Sequence, residues 1–166
     1  RKWSFLLQKT RVKSGPKSIN IGGASTPRKH SFNMNCLFWN IRGITTPGKK
    51  TCIIDTLTKT NASIVAFQET KKEELTTAFL KSISGNKNFI WHHLPAVGTA
   101  GGILVGVDAD IFEVLQWSSL NFFVSCNLKV KANGTCFRVI AVYGSPYDEG
   151  KDAFIFELHS LFVDVQ

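Results

Sequence analysis

A chain of 166 residues and 18.4 kDa is sized for one domain, and 43% hydrophobic residues with a mean hydropathy of +0.01 supply a core, which excludes wholesale disorder. No apolar run approaches the roughly 18 residues of a membrane-spanning helix, so no membrane span is expected. Eight of the 20 basic residues and none of the 12 acidic ones precede Met34, so the net charge of +8 belongs to the first 33 residues and the remainder is neutral.

Residues 1–33 mix those cations with Gly15, Pro16, Gly22, Gly23 and Pro27 and show little periodicity. This predicts a basic flexible arm, because such a composition buries too little surface to offset its ordering entropy. Clustered positive charge suits phosphate backbones, nuclear import or anionic lipid. An acid-free, serine-containing segment also suits an organellar transit peptide. A solvated extension with no selected role is equally compatible.

From Met34 the texture changes. MNCLFWNIRG reads as a strand covered on both faces, and TTPGKK as a turn. Ile53, Ile54 and Leu57 recur at helical spacing up to Asn61. SIVAFQE is a second buried strand, and Leu75, Phe79, Leu80 and Ile83 mark a second helix, with Glu73-Glu74 at its start. NFIWHHL, GGILVGV, IFEVLQW, FFVSCNLKV and TCFRVIAVYG then read as strands, the last two joined by a hairpin at Asn133-Gly134. Phe154, Ile155, Leu158, Leu161 and Phe162 trace one face of a final helix, with Asp148, Glu149 and Asp152 near its start. The pattern predicts a mixed α/β protein in which three helices incompletely cover about seven strands.

Cys36, Cys52, Cys126 and Cys136 have neither zinc half-site nor CxxC spacing. Three lie in apolar runs, which predicts free, buried thiols in a reducing compartment, nuclear or cytoplasmic. His92 and His93 are adjacent in a strand and so face opposite ways. Asp108 and Asp110 follow a strand and read as a turn, and His159 reads as exposed on the last helix.

Polar residues close three of the apolar strands: Asn40 the first, Gln68-Glu69 the second and Tyr143 the last. Strand ends in α/β sheets converge on crevices where ligands bind. A carboxylate, an amide and a phenol gathered there could hold a hard cation and a phosphate. From spacing alone, a glutamate after an apolar strand also fits the first polar residue of a loop.

Four strings narrow this choice. LFWNIRGI, IVAFQETKK, GTAGGILVGVD and VIAVYGSPY, in this order, resemble the endonuclease/exonuclease/phosphatase superfamily. The nearest likeness is to the apurinic-type endonuclease domain of plant non-LTR (LINE-like) retrotransposons, over Met34 to about Phe162. The resemblance implies a DNase I-like four-layer α/β sandwich and Mg²⁺-dependent phosphodiester cleavage in DNA or another nucleic acid. It makes Glu69 the metal-binding glutamate, Asn40 an orienting asparagine and Tyr143 the tyrosine that reaches the scissile phosphate. Arg42 matches an arginine common in the retrotransposon branch, where it could contact a nucleic-acid phosphate or form a structural ion pair. The family's GD-x-N and SDH-type motifs do not occur in these 166 residues. The expectation is therefore the N-terminal portion of such a domain, truncated or degenerate, without useful activity alone and with at most weak Mg²⁺ binding. The alternative is a non-enzymatic nucleic-acid binder that uses the basic arm. No obligate protein partner is readable.

Overall fold

The computed structural model describes residues 5–8, 34–98, 100–144 and 150–163. The described residues form a mixed α/β fold with two sheets and three helices. Its elements are β1 (Phe5–Gln8), β2 (Cys36–Asn40), α1 (Lys49–Thr60), β3 (Ile64–Gln68), α2 (Thr77–Ile83), β4 (Phe89–Val97), β5 (Ala100–Asp108), β6 (Phe112–Ser119), β7 (Phe123–Val130), β8 (Cys136–Val142) and α3 (Lys151–Val163).

One sheet has the order β2-β3-β5-β4, with β2 and β3 parallel and the remaining pairs antiparallel. The other has the order β1-β8-β7-β6 and is antiparallel throughout. Apolar side chains on alternate positions of each sheet meet in one core: Ile64, Ala66, Ile103 and Val105 from the first, Val124, Leu128, Val139 and Ala141 from the second. The opposite face of the first sheet, with Val65, Phe67 and Leu104, is covered by Ile53 and Leu57 of α1 and Ile83 of α2. Both faces of β3 are therefore sealed, which is why its five residues are all buried and all apolar except Gln68. On the second sheet α3 packs Phe154, Leu158 and Leu161 over Phe123, Ile140 and Val142.

The predicted strands from Met34 onward all form, and their connections follow the punctuation in the sequence. Asn61 closes α1 in the left-handed conformation that asparagine tolerates. Gly134 takes φ 71° in the β7–β8 connection, where Asn133 Oδ1 accepts from Thr135 N–H at 3.0 Å. Asp108 and Asp110 do form a turn: the Asp110 N–H bonds Asp108 Oδ1 at 3.1 Å, and Asp108 pairs with Lys87 at 3.4 Å.

Three expectations require correction. Glu73 and Glu74 precede α2 rather than opening it. Residues 71 and 72 are held along the sheet, with Lys71 N–H bonded to Gly101 O and Ala96 N–H to Lys72 O, and Thr76 is the N-cap through its hydroxyl and Phe79 N–H. Ile155 does not share the buried face of α3: it is 61% exposed, because Phe154, Leu158 and Leu161 already fill the interface. FLLQ, within the segment read as an arm, forms β1 against β8, with Phe5 opposite Ala141 and Gln8 opposite Arg138. The rest of that segment, like Asp148 and Glu149, lies outside the described residues.

All four cysteines are free: Cys126 is buried, Cys36 and Cys136 are half-buried and Cys52 is exposed. His92 and His93 face opposite ways, His92 stacking on Trp117 of the other sheet at 4.8 Å, and His159 is exposed. Among the described residues no helix is long and apolar enough to cross a membrane.

Candidate functional site

Two consecutive strands of the first sheet end at the same level. β2 and β3 run parallel in register, so Asn40 lies opposite Gln68, and the chain continues into loops that remain paired. Ile41 N–H bonds Gln68 O at 2.9 Å, Gly43 N–H bonds Glu69 O at 2.7 Å and Ile44 N–H bonds Thr70 O at 3.1 Å. Antiparallel β5 begins at this same end: Thr70 N–H bonds Gly102 O and Lys71 N–H bonds Gly101 O.

This close pairing requires a small residue. A Cβ on Gly102 would overlap Thr70 Oγ1, and its φ of +82° also disfavours any side chain. Of the four non-glycine residues with positive φ among those described, Arg42, Glu69 and Lys71 all lie in these loops. Left-handed backbone costs about 1–2 kcal/mol at a non-glycine residue, and such strain concentrates where a fold over-determines a functional geometry.

The third contribution comes from the other sheet. Gln68 Nε2 donates to Val142 O at 2.8 Å, a buried bond that ties the end of β3 to the end of β8. Tyr143 follows immediately, its N–H bonded to Phe122 O at 2.8 Å, and its ring passes over Gly101. Its phenol donates to Glu69 Oε1 at 3.3 Å, and Asn40 Nδ2 donates to the same oxygen at 2.9 Å. Asn40, Glu69 and Tyr143 are thus brought together. Glu69 is 7% exposed, and one of its two oxygens holds both neighbours.

The chain matches no protein-family model. No curated protein is significantly similar to it either. What the site can do therefore follows from its own chemistry.

Glu69 Oε2 bonds no described residue, and Asn40 Oδ1 is buried without a partner. An open carboxylate oxygen and an orphaned amide oxygen are hard donors of the kind Mg²⁺ takes, and that ion commonly uses one or two carboxylates with water and phosphate oxygens for the rest. The donor set fits Mg²⁺ held in this partial way. Among the described residues no group of three or more His, Cys, Asp or Glu side chains gathers into a complete ligand set.

Arg42, two residues beyond Asn40, is exposed and forms no ion pair with a described residue. The alternative of a structural ion pair therefore has no partner among them. Two contributors to the site, Gln68 at a strand end and Gly102 in the GTAGGILVGVD string, had no assigned role in the sequence. Gln68 joins the two sheets behind the carboxylate, and its signal was an amide at the last position of an otherwise apolar strand. Gly102 allows β5 to approach Thr70, and the Gly101-Gly102 pair at a strand start was the visible cue.

Proposed function

We propose that this chain carries the glutamate-bearing part of a Mg²⁺-dependent phosphodiester endonuclease centre, within a DNase I-like four-layer α/β sandwich related to retrotransposon endonucleases, and that the 166 residues alone do not cleave. The observation that carries the reading is the double donation from Asn40 and Tyr143 to one oxygen of a buried glutamate, with the other oxygen left open. A bound Mg²⁺ would polarise a phosphoryl oxygen of the substrate. Glu69 presents its open oxygen to that cation. Asn40 fixes the carboxylate's rotation and offers its buried amide oxygen to the same space. Tyr143 holds its phenol on Glu69 Oε1, from which it can turn to donate to a phosphate oxygen. Arg42, exposed on the adjoining loop, supplies charge for the neighbouring phosphate. Among the described residues no group of three or more His, Cys, Asp or Glu side chains gathers around Glu69, and lack of a base that activates water typically costs about 10²–10⁴-fold.

The test is a pair of assays on purified chain. With Mg²⁺, a supercoiled plasmid stays intact, while a short DNA oligonucleotide binds more tightly than in EDTA. Glu69→Gln removes that Mg²⁺-dependent gain. Binding indifferent to Mg²⁺ would reject the centre, and nicking that Glu69→Gln abolishes would reject the claim of inactivity.

A second reading, a non-enzymatic nucleic-acid binder, is favoured by the charge asymmetry before Met34. Because β1 pairs with β8, deleting residues 1–33 would also remove a strand. Replacing Arg11, Lys13, Lys17, Arg28 and Lys29 with glutamine tests the charge alone. For every phosphate that the arm no longer neutralises, the slope of log affinity against log salt falls by about 0.7–0.9. An unchanged slope would exclude the arm as the binding element.

A further inference from the structure

Helix α3 carries a buried carboxylate that the centre above does not use. Glu157 is 6% exposed. Its Oε1 accepts from the Phe122 N–H at 2.7 Å and its Oε2 from Asn121 Nδ2 at 3.2 Å. Burial of a carboxylate is unfavourable unless its lone pairs are filled, and here both oxygens are engaged by one turn, the connection between β6 and β7. Backbone groups in such a turn have no ladder partner and need one from elsewhere.

Phe122 is also the residue whose carbonyl accepts the Tyr143 N–H at 2.8 Å. Phe154, one helical turn before Glu157, stands edge-on to Phe122 with ring centroids 5.6 Å apart. It also lies so close to Gly144 that a Cβ there would come within 3.4 Å of the Phe154 ring. Helix α3 therefore holds both the turn that bonds the Tyr143 backbone and the residue that follows Tyr143. On the other side, Val142 is fixed by Gln68. Phe122, Gly144 and Val142 thus hold the Tyr143 backbone from both sides.

We propose that Glu157 is a positioning residue for Tyr143. By fixing Phe122 it sets the Tyr143 backbone, and so decides whether the phenol reaches Glu69 Oε1. The inference rests on Tyr143 belonging to the proposed centre, but the coupling itself needs no catalysis to be observed.

The experiment follows the carbon-13 resonance of tyrosine Cζ in the full chain, which has two tyrosines, Tyr143 and Tyr147, distinguished by Tyr147→Phe. Glu69→Gln removes the charge beside the Tyr143 phenol and should displace its resonance. The displacement should persist with Glu157→Gln, which keeps an acceptor for Phe122 N–H, and with Leu161→Ala, which loosens α3 at its other buried end. It should vanish with Glu157→Leu, which keeps the size and removes the acceptor. If Glu157→Leu does not fold, Glu157→Asp, one methylene short of Phe122, carries the same comparison and should also abolish it. Displacement that survives in the folded Leu or Asp variant overturns the inference, as does its equal disappearance in Leu161→Ala. Absence of any displacement by Glu69→Gln in the otherwise unaltered chain would instead reject the gathered centre itself.

Discussion

Glu69 combines two costs that ordinary loop residues avoid, burial of a carboxylate and a φ of 56°, and the two donors on its Oε1 offset the first. Each is tolerable only because neighbours answer it. Removing Asn40 therefore has a definite consequence. Asn40→Ala leaves a buried carboxylate with one donor fewer and should cost about 1–3 kcal/mol of stability in urea unfolding. It should also weaken Mg²⁺ binding by about 10–100-fold, the usual effect of losing a ligand's supporting hydrogen bond. Unchanged values for both would show that the Asn40–Glu69 bond does not hold the site. The histidines offer a separate test. Burial lowers the pKa of His92 below its ordinary 6.5, and it lowers His93 in the same direction with a further push from His92 charge, opposed by a hydrogen bond to the Lys72 backbone. The unfolded chain takes protons at about 6.5 while the folded one resists them, so stability is full above that pH and declines as pH falls below it. The denaturation midpoint should drop between pH 7.5 and 5.5, and His92→Gln with His93→Gln should flatten that drop. A midpoint as steep in the double variant would assign the loss to other groups. Among the thiols, Cys126 is pushed up to about 12 by burial and should label only on unfolding, whereas exposed Cys52 labels in the native state.

At the scale of elements, most of the fold was readable because the inner strands are sealed on both faces and write themselves as apolar runs, while the edge strands β2, β4 and β6 stay partly exposed. Ile64–Gln68 and Ala100–Asp108 are examples of such runs. What was not readable lay where tertiary bonds override local preference. Glu73-Glu74 looks like a helix start, yet the backbone bonds of residues 71 and 72 to β5 and β4 hold it off until Thr76. Four residues of FLLQ look too isolated to count, yet β8 offers them an open edge. Ile155 falls beside an apolar stripe that is already complete without it. The glycines carry the sharpest prediction at this scale. Gly102→Ala meets both a forbidden φ and Thr70 Oγ1, and should cost about 2 kcal/mol or more. Gly134→Ala, at φ 71° in open space, should cost only about 1 kcal/mol. Equal losses for the two in thermal unfolding would contradict the close approach of β5 to the Thr70 loop.

For the molecule as a whole, the candidate site depends on a fact no single segment carries, that the ends of β2 and β3 in one sheet meet the end of β8 in the other. The residue types Asn40, Glu69 and Tyr143 were legible at three strand ends and their meeting was expected there, but the bond that ties the two sheets together behind them was not, because Gln68 and Val142 lie 74 residues apart. The outer face of α3 makes a second whole-molecule point. Phe156 is 80% and Ile155 61% exposed, so charging both positions should lower self-association at high concentration while changing stability by no more than about 0.5 kcal/mol. The claim on which the account stands is that the open oxygen of Glu69 addresses a hard cation. Mn²⁺, substituted for Mg²⁺, broadens amide resonances close to where it binds. The account predicts broadening centred on Asn40, Glu69 and Tyr143 that Glu69→Gln removes; broadening centred elsewhere, or undiminished in Glu69→Gln, would contradict it.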